Sequence, residues 1–348
     1  MTIPKRTGIA AAGNWIIDHV KILDTYPRQD TLANILEMRS GNGGAAYNVL
    51  KDLAKLGAQF PLEALGLIGD DAEGRKILED CKAHSIWTTQ LKVTDKAPTS
   101  FTDVMTVKGT GRRTFFHHRG TNALFDIDSV NLDALNARIF HLGYLLLLDQ
   151  FDKPSEQFGT KAAELLARAK RLGMKTSIDV VSEDSRRFAD IVSPALKYTD
   201  YCILNEFETE RVTGIATREG SRISREGLQN AAADLLERGV SDSVIIHYPE
   251  GGYVRSTGGF EHFQPSLALP GQFIIGTAGA GDAFCAGALY GLHEGWSMGQ
   301  MMELGVCAAA SSLSHSTCSD GVCDMKTVLK LADQFGFREL PVSPSPAG

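Results

Sequence analysis

Residues 276–284 read Gly-Thr-Ala-Gly-Ala-Gly-Asp-Ala-Phe and run on into CAGALYGLHEG. They follow a β-like run, Phe273-Ile274-Ile275, and open a helix expected from Asp282 to about Glu294. Small residues at 278–281 leave backbone N–H groups open at a helix N-terminus. Those unpaired donors and the positive end of the helix dipole suit a phosphate. Asp282, in the first turn, is placed to accept a proton from a hydroxyl attacking that phosphate. The same pattern also suits a plain strand-to-helix turn with Asp282 as an ordinary cap. Other nucleotide motifs do not compete: there is no GxxxxGK[ST], and no GxGxxG in a strand-to-helix setting.

A second polar pair, Asn205 and Glu208, follows the apolar run DYCIL (200–204) with the spacing of a helix N-cap and its third residue. The six cysteines, at 81, 202, 285, 307, 318 and 323, form no CxxC. Cys318 and Cys323 lie close together, but no neighbouring His–Cys cluster completes a tetrahedral zinc site by spacing, and the nine histidines give no HExxH.

The elements that must carry these residues alternate. Gly43–Leu56 has helical apolar spacing and ends at Gly57. Ser155 is expected to cap a helix running to Leu172, and Ser224 one running to Arg238. Between them lie β-rich runs at 62–69, 139–148, 175–180, 200–204 and 242–247, most without polar alternation, as in strands covered on both faces. The Ala-rich segment before Gly13 reads as the end of a first buried strand. Strand–helix–strand at this spacing implies right-handed crossovers and a mainly parallel sheet between helix layers. Residues 14–40 and 99–119 break the rhythm. The second holds a Gly109-Thr110-Gly111 turn and reads as a hairpin, so the two could form a small flap over one end of the sheet.

Composition narrows the class. The chain has 348 residues, 43% hydrophobic and 22% charged, enough to bury a full core without disulfide staples. Its net charge of −7 argues against broad nucleic-acid or anionic-membrane binding. The longest apolar stretch, Ile139–Leu148, is half of the ~20 residues a membrane span needs. With no targeting segment visible, the cytoplasm is the expected compartment. We expect one domain over 1–340 and a Pro/Ser-rich tail at 341–348.

Four segments in order resemble the ribokinase-like, or PfkB, carbohydrate kinase family: NGGAAYNVLKDLAKLGA (42–58), GLIGDDAEG (66–74), LNEFETERVTG (204–214) and GTAGAGDAFCAGALYGL (276–292). The resemblance spans about residues 8–335. It implies a three-layer α/β/α fold with a β lid, and transfer of the ATP γ-phosphoryl group to a hydroxyl of a sugar or sugar acid. It implies Asp282 as catalytic base, and the amides of Gly279, Ala280 and Gly281 as an anion hole. Asn205 and Glu208 would hold Mg²⁺ and its waters, and Thr277 and Gly252 would lie near the nucleotide. Asn14, Asp18, Gly43, Gly44 and Asn48 match positions that face the acceptor. Asp18 and Asn48 read equally as solvated polar residues, and Gly43-Gly44 as a helix start.

Arg119, at the end of the hairpin, resembles the lid arginine of keto-deoxygluconate kinases, whose partner would be a substrate carboxylate; it reads equally as an edge-strand charge. Arg186 could be its companion or a solvated residue, and His117 and His118 read as strand residues. Two positions depart from the family pattern. Gly276 stands where a carboxylate helps bind K⁺ in cation-activated members, so little activation by monovalent cations is expected. His247–Gly252 (HYPEGG) replaces a Thr-x-Gly-x-x-Gly stretch near the nucleotide. A nucleoside acceptor and a non-catalytic sensor are the alternatives. A homodimer through the lid would cover its exposed β layer.

Overall fold

A computed structural model describes residues 6–183 and 185–339; the expected tail at 341–348 lies outside them. In chain order the strands begin with β1 (Ile9–Ala12), β2 (Ile16–Leu23), β3 (Ile35–Gly43), β4 (Leu62–Gly69), β5 (Trp87–Thr94), β6 (Ser100–Val107), β7 (Arg113–His118) and β8 (Ile139–Leu145). They continue with β9 (Pro154–Ser155), β10 (Gly159–Thr160), β11 (Lys175–Val180), β12 (Tyr201–Asn205), β13 (Arg218–Glu219), β14 (Arg222–Ile223), β15 (Ser243–Tyr248), β16 (Gly251–Ser256) and β17 (Glu261–Pro265). The helices are α1 (Ala45–Lys55), α2 (Ala72–Ala83), α3 (Lys161–Arg171), α4 (Phe188–Leu196), α5 (Glu206–Thr213), α6 (Arg225–Glu237), α7 (Ala280–Glu294), α8 (Met298–Ser312) and α9 (Met325–Phe335).

Nine strands form the main sheet in the order β17-β16-β15-β12-β11-β8-β1-β4-β5. From β15 to β5 every neighbouring pair is parallel, and the β15–β16–β17 edge is an antiparallel meander. β1 is Ile-Ala-Ala-Ala, fully buried, with α1 and α7 on one face of the sheet and the α3–α6 side on the other. The α7–α8 contact is close for a sequence reason: a Cβ at Gly287 would stand 2.9 Å from the Gly305 Cα, so only a bare backbone fits there. This is the expected three-layer arrangement of a mainly parallel sheet between helices.

A second sheet, β3-β2-β6-β7, stands apart from the first. Its β2–β6 pair is parallel and its two outer pairs are antiparallel. It gathers the two segments that break the α/β rhythm, and Gly109-Thr110-Gly111 lies in the β6–β7 turn.

Local expectations hold at Ser224, whose hydroxyl caps α6 by accepting from the Gly227 N–H, and at Gly57, which follows α1 with φ of +86°. Two need correction. Ser155 caps no helix: it lies in the β9–β10 ribbon, and α3 starts at Lys161, where Thr160 caps the Ala163 N–H. Phe273-Ile274-Ile275 is not a strand. A 3₁₀ turn occupies Gly271–Phe273, and the Ile275 N–H bonds to the Leu313 carbonyl after α8 rather than to a sheet neighbour. Ile275 is 62% exposed, so apolar β-branched character alone does not build a strand where no partner strand is in reach.

Candidate active site

Parallel strands end together, and the cleft lies beyond the carboxyl ends of β8, β11, β12 and β15, where open α/β sheets place ligands. Tyr144, Asp179, Asn205 and His247 come from these strand ends, α7 contributes its first turns, and the second sheet closes the top. They line a cavity of about 410 Å³ together with Asp18, Gly44, Asn48, Arg113, His117, Thr277, Gly279, Gly281, Cys285 and Cys318.

Helix α7 begins at Ala280 with Gly279 at its N-cap in the left-handed region, φ +77°. That conformation is natural to glycine, and a Cβ there would also meet Cys318 at 2.6 Å. Gly279 has no side chain to cap with, so the first-turn N–H groups are left for a ligand. At Gly281 an added Cβ would come within 3.0 Å of the His247 ring. Burial lowers the His247 pKa to about 4, so this ring is a neutral wall.

Asp282, the third residue of α7, is 4% exposed. Its Oδ2 accepts from Asn48 Nδ2 at 2.7 Å, and both its oxygens lie 3.0 Å from the donating Tyr144 hydroxyl. Burial pushes its pKa up to about 6, while the Asn48 and Tyr144 bonds pull it down. Asn48 is held in turn: Asn42 Nδ2 donates to Asn48 Oδ1 at 2.6 Å and to Ser319 Oγ at 2.7 Å. Tyr144 has φ of +54°, rare for a non-glycine residue, and this conformation directs its N–H to Asp179 at 2.6 Å while its hydroxyl reaches Asp282. A carboxylate so oriented, beside free amides, can take a proton from a hydroxyl held between them.

Asn205 caps α5, forming a capping box with Glu208. Ser182 Oγ and Asn205 Nδ2 donate to Glu208 Oε1 at 2.6 and 2.7 Å, and the Asn205 N–H donates to Oε2 at 2.9 Å. Burial raises the Glu208 pKa to about 7. Both side chains line the cleft with hard oxygen ligands already in use. That donor set suits a divalent cation such as Mg²⁺, which keeps much of its water shell.

On the opposite side, Asp18 of β2 lies over Gly43, where a Cβ would strike its carboxylate. Its Oδ2 accepts from the Cys318 thiol at 3.5 Å, and burial raises its pKa to about 7. Arg113, first residue of β7, donates to the Thr277 hydroxyl and so ties the second sheet to the loop before α7. Among the described residues no carboxylate forms a salt bridge with it. On alternate β7 positions Phe115 and His117 face the same cleft. Burial lowers the His117 pKa to about 4; Thr102 Oγ1 bonds its Nδ1 at 3.0 Å and its Nε2 has no partner.

Of the residues singled out in the sequence, Asp282, Gly279, Gly281, Thr277, Asn205, Glu208, Asp18, Gly44 and Asn48 line this one cleft. Ala280, Gly43, Asn14, Gly252 and Arg119 do not. Asn14 is fully buried behind it, its Nδ2 donating to the Leu147 carbonyl. Gly252 pairs with His247 in the β15–β16 hairpin and packs on Met302 and Phe284. Arg119 is bound at 2.6 Å to Asp149, and Arg186 is exposed. Sequence reasoning missed Arg113, Tyr144 and Asp179; it read His117 as a strand residue, which it is, without placing it in the cleft. Strand alternation back from Arg119 could have raised Arg113, and a lone hydroxyl in the apolar run LGYLLLL could have raised Tyr144. Gly276 offers no carboxylate, and a Cβ there would meet the His315 carbonyl oxygen at 2.6 Å. These residues do not fit a carboxylate-built monovalent cation site.

Residues 6–324 match the sequence profile of the pfkB family of carbohydrate kinases. The chain belongs to that family and is a carbohydrate kinase with the ribokinase-like fold. It is 25% identical to 5-dehydro-2-deoxygluconokinase of Clostridium beijerinckii, over 82% of this chain and 81% of that one. It is 26% identical to ribokinase of Arabidopsis thaliana, over 83% and 71%. The solved structure of Arabidopsis thaliana ribokinase complexed with ribose and ATP superposes with a TM-score of 0.76 at 22% identity, covering 94% of this chain and 98% of that one. A nucleoside kinase of Methanocaldococcus jannaschii gives 0.74 at 20% identity, covering 95% and 99%. No helix among the described residues is long and apolar enough to cross a membrane.

Proposed function

We propose that this kinase transfers the γ-phosphoryl group of ATP to a primary hydroxyl of a sugar acid bound beneath the second sheet. One observation carries the reading: the Asp282 carboxylate, oriented by Asn48 and Tyr144, stands in the first turn of α7 beside unsatisfied amides. In the reaction Asp282 accepts the acceptor's hydroxyl proton as the new P–O bond forms and the bond from the γ-phosphorus to the bridging oxygen breaks, that oxygen leaving on ADP. The amides of Gly279 and Gly281, which line the cleft, receive the charge on the phosphoryl oxygens, and as fixed backbone dipoles they need no reorganisation. Asn205 and Glu208 would hold Mg²⁺ through water, and the ion, when bound, would add positive charge against the phosphates. The second sheet acts as the lid, excluding water that would otherwise hydrolyse the nucleotide.

Acceptor class follows from Arg113. Its guanidinium is half-withdrawn from water and bonded to a neutral threonine, so an anionic acceptor gains a charge-assisted bond there that a neutral sugar does not. The names of the relatives include both a 5-dehydro-2-deoxygluconokinase and a ribokinase, and Arg113 favours the acid. Leu32, Ile35, Leu36, Met38 and Phe116 are half-exposed or more on the lid, and we infer that a second copy of the chain covers them.

The test is ADP release in a coupled assay with ATP and Mg²⁺ against hexoses, pentoses, keto-sugar acids and nucleosides. Highest kcat/KM with a keto-sugar acid is expected. Preference for a nucleoside or a neutral pentose overturns the acceptor assignment, and binding without turnover of any acceptor overturns the catalytic one.

A further inference from the structure

Beneath the cleft lies a group of side chains that take no direct part in phosphoryl transfer. His141 on β8, Asp179 on β11 and Cys285 on α7 bring one nitrogen, one carboxylate oxygen and one sulfur within 4.8 Å of one another, all three residues buried. Asp179 and Cys285 line the cavity wall, and Cys285 lies one helical turn after Asp282.

The imidazole is the informative member. His141 is 0% exposed, yet its Nε2 has no hydrogen-bond partner. The nearest Asp179 oxygen is 3.9 Å away, too far for a hydrogen bond. A buried polar atom left unpaired is costly and calls for an explanation. The rest of the ring is fixed: its Nδ1 bonds Ser177 Oγ at 3.1 Å, across the β8–β11 register that pairs these two residues. Asp179 is held likewise by the Tyr144 N–H at 2.6 Å. Metal-ligating histidines and carboxylates are oriented in this way by partners on their other atoms.

We propose that His141 Nε2, Asp179 and Cys285 Sγ bind one zinc-class divalent ion at the floor of the cleft. Nitrogen, sulfur and carboxylate oxygen form the donor set of zinc, while Mg²⁺ prefers oxygen alone. Zinc bonds of about 2.0–2.3 Å put tetrahedral donors roughly 3.3–3.8 Å apart, so atoms now within 4.8 Å of one another must close by no more than about 1.5 Å. Three protein ligands leave a fourth position, for water or an oxygen of a molecule in the cleft. On binding, the Cys285 thiol gives its proton to bulk water and the sulfur coordinates as thiolate.

The test uses the full chain, stripped with chelator and titrated with Co²⁺, whose bond to a thiolate gives a near-ultraviolet charge-transfer band. One Co²⁺ per chain is expected, with that band, displaced by one equivalent of Zn²⁺ and unaffected by millimolar Mg²⁺. Cys285→Ser abolishes the band. A variant lacking both Cys318 and Cys323 keeps it, which separates this site from the other thiol in the cleft and from the exposed one. Ser177→Ala retains every ligand and weakens Co²⁺ affinity by roughly 10–100-fold; it also carries the test should Cys285→Ser fail to fold. Absence of the band in the wild-type chain, its persistence in folded Cys285→Ser, or unchanged affinity in Ser177→Ala overturns the site.

Discussion

The two walls of the cleft are built in different ways. The wall made by α7 and the strand ends rests on backbone and on side chains largely withdrawn from water: the amides of Gly279 and Gly281, and Asp282 locked by Asn48 and Tyr144. The lid wall rests on long side chains from strands that are partly exposed, among them Arg113 and Phe115, and meets the other wall through the Arg113–Thr277 contact. Chemistry common to every acceptor needs fixed dipoles, whereas the choice of acceptor needs side chains that can be exchanged without disturbing the core. On this division, changes in the first wall should abolish turnover for all acceptors, and changes in the lid should act on particular ones.

The largest effect belongs to Asp282→Asn, which should lower kcat by roughly 10²–10⁴ with every acceptor while nucleotide affinity is retained. Steady-state kinetics beside nucleotide titration reads this. The same variant reports on folding. In the native chain Asp282 has a pKa of about 6 against an ordinary 3.8, so the stability it contributes is fully present below 3.8 and is lost as pH rises through 6. Asparagine cannot ionise, so the variant should melt at a higher temperature than the wild type at pH 8. A lower melting temperature there would mean that Asp282 stabilises the fold as a carboxylate. Arg113→Gln should come next. Loss of one charge-assisted bond, about 1.5–3 kcal/mol, lowers kcat/KM roughly 10–100-fold for an acidic acceptor and hardly at all for a neutral one. An equal loss for both would remove the distinction between the walls.

Tyr144→Phe is a smaller change within the first wall. With Asp282 as the proposed base, activity requires its ionised form, so kcat/KM should rise with pH through about 6. The Tyr144 hydroxyl stabilises the carboxylate, and without it the Asp282 pKa rises and this limb moves to higher pH. Asp18 and Glu208, each raised to about 7, face the same cleft, as does the neutral His247, so the informative quantity is the displacement of the variant's limb from that of the wild type. An unmoved limb would show that the phenol does not act on Asp282. Replacing K⁺ by a bulky organic cation should alter the rate less than about threefold, since the Gly276 backbone packs on the His315 carbonyl and offers no carboxylate. A many-fold K⁺ effect would show that carbonyls alone build such a site.

What could be read in the sequence follows the same division. The α7 wall is contiguous in the chain, so Gly279, Gly281 and Asp282 could be placed from residue types, and Asn205 with Glu208 from capping-box spacing. The strands buried on both faces were legible because they lack polar alternation. The segment 273–275 was not, because strand formation depends on a neighbour that the local sequence does not encode. Tyr144 and Asp179 act through a left-handed backbone turn and an adjacent strand, both set by tertiary packing. His141, Asp179 and Cys285 are brought together by the β8–β11 pairing and by α7 crossing above it, which no spacing rule detects.

Arg119 gives the smallest effect and the sharpest test of the comparison. Family resemblance singles it out as the residue for an acceptor carboxylate, and the structure places it outside the cleft in a 2.6 Å bridge to Asp149. Both side chains of that bridge are more than a third exposed, and pairs so placed contribute roughly 0–1 kcal/mol. Its carbonyl, not its guanidinium, is the part that the fold uses most closely, accepting from Ser100 Oγ at 2.5 Å. Replacing the side chain leaves that bond in place. Arg119→Gln should therefore change kcat/KM for acidic and neutral acceptors alike by less than about twofold. If it instead removes activity toward acids alone while Arg113→Gln does not, the lid must rearrange on binding to exchange one arginine for the other, and acceptor choice then lies in lid motion rather than in the resting cleft.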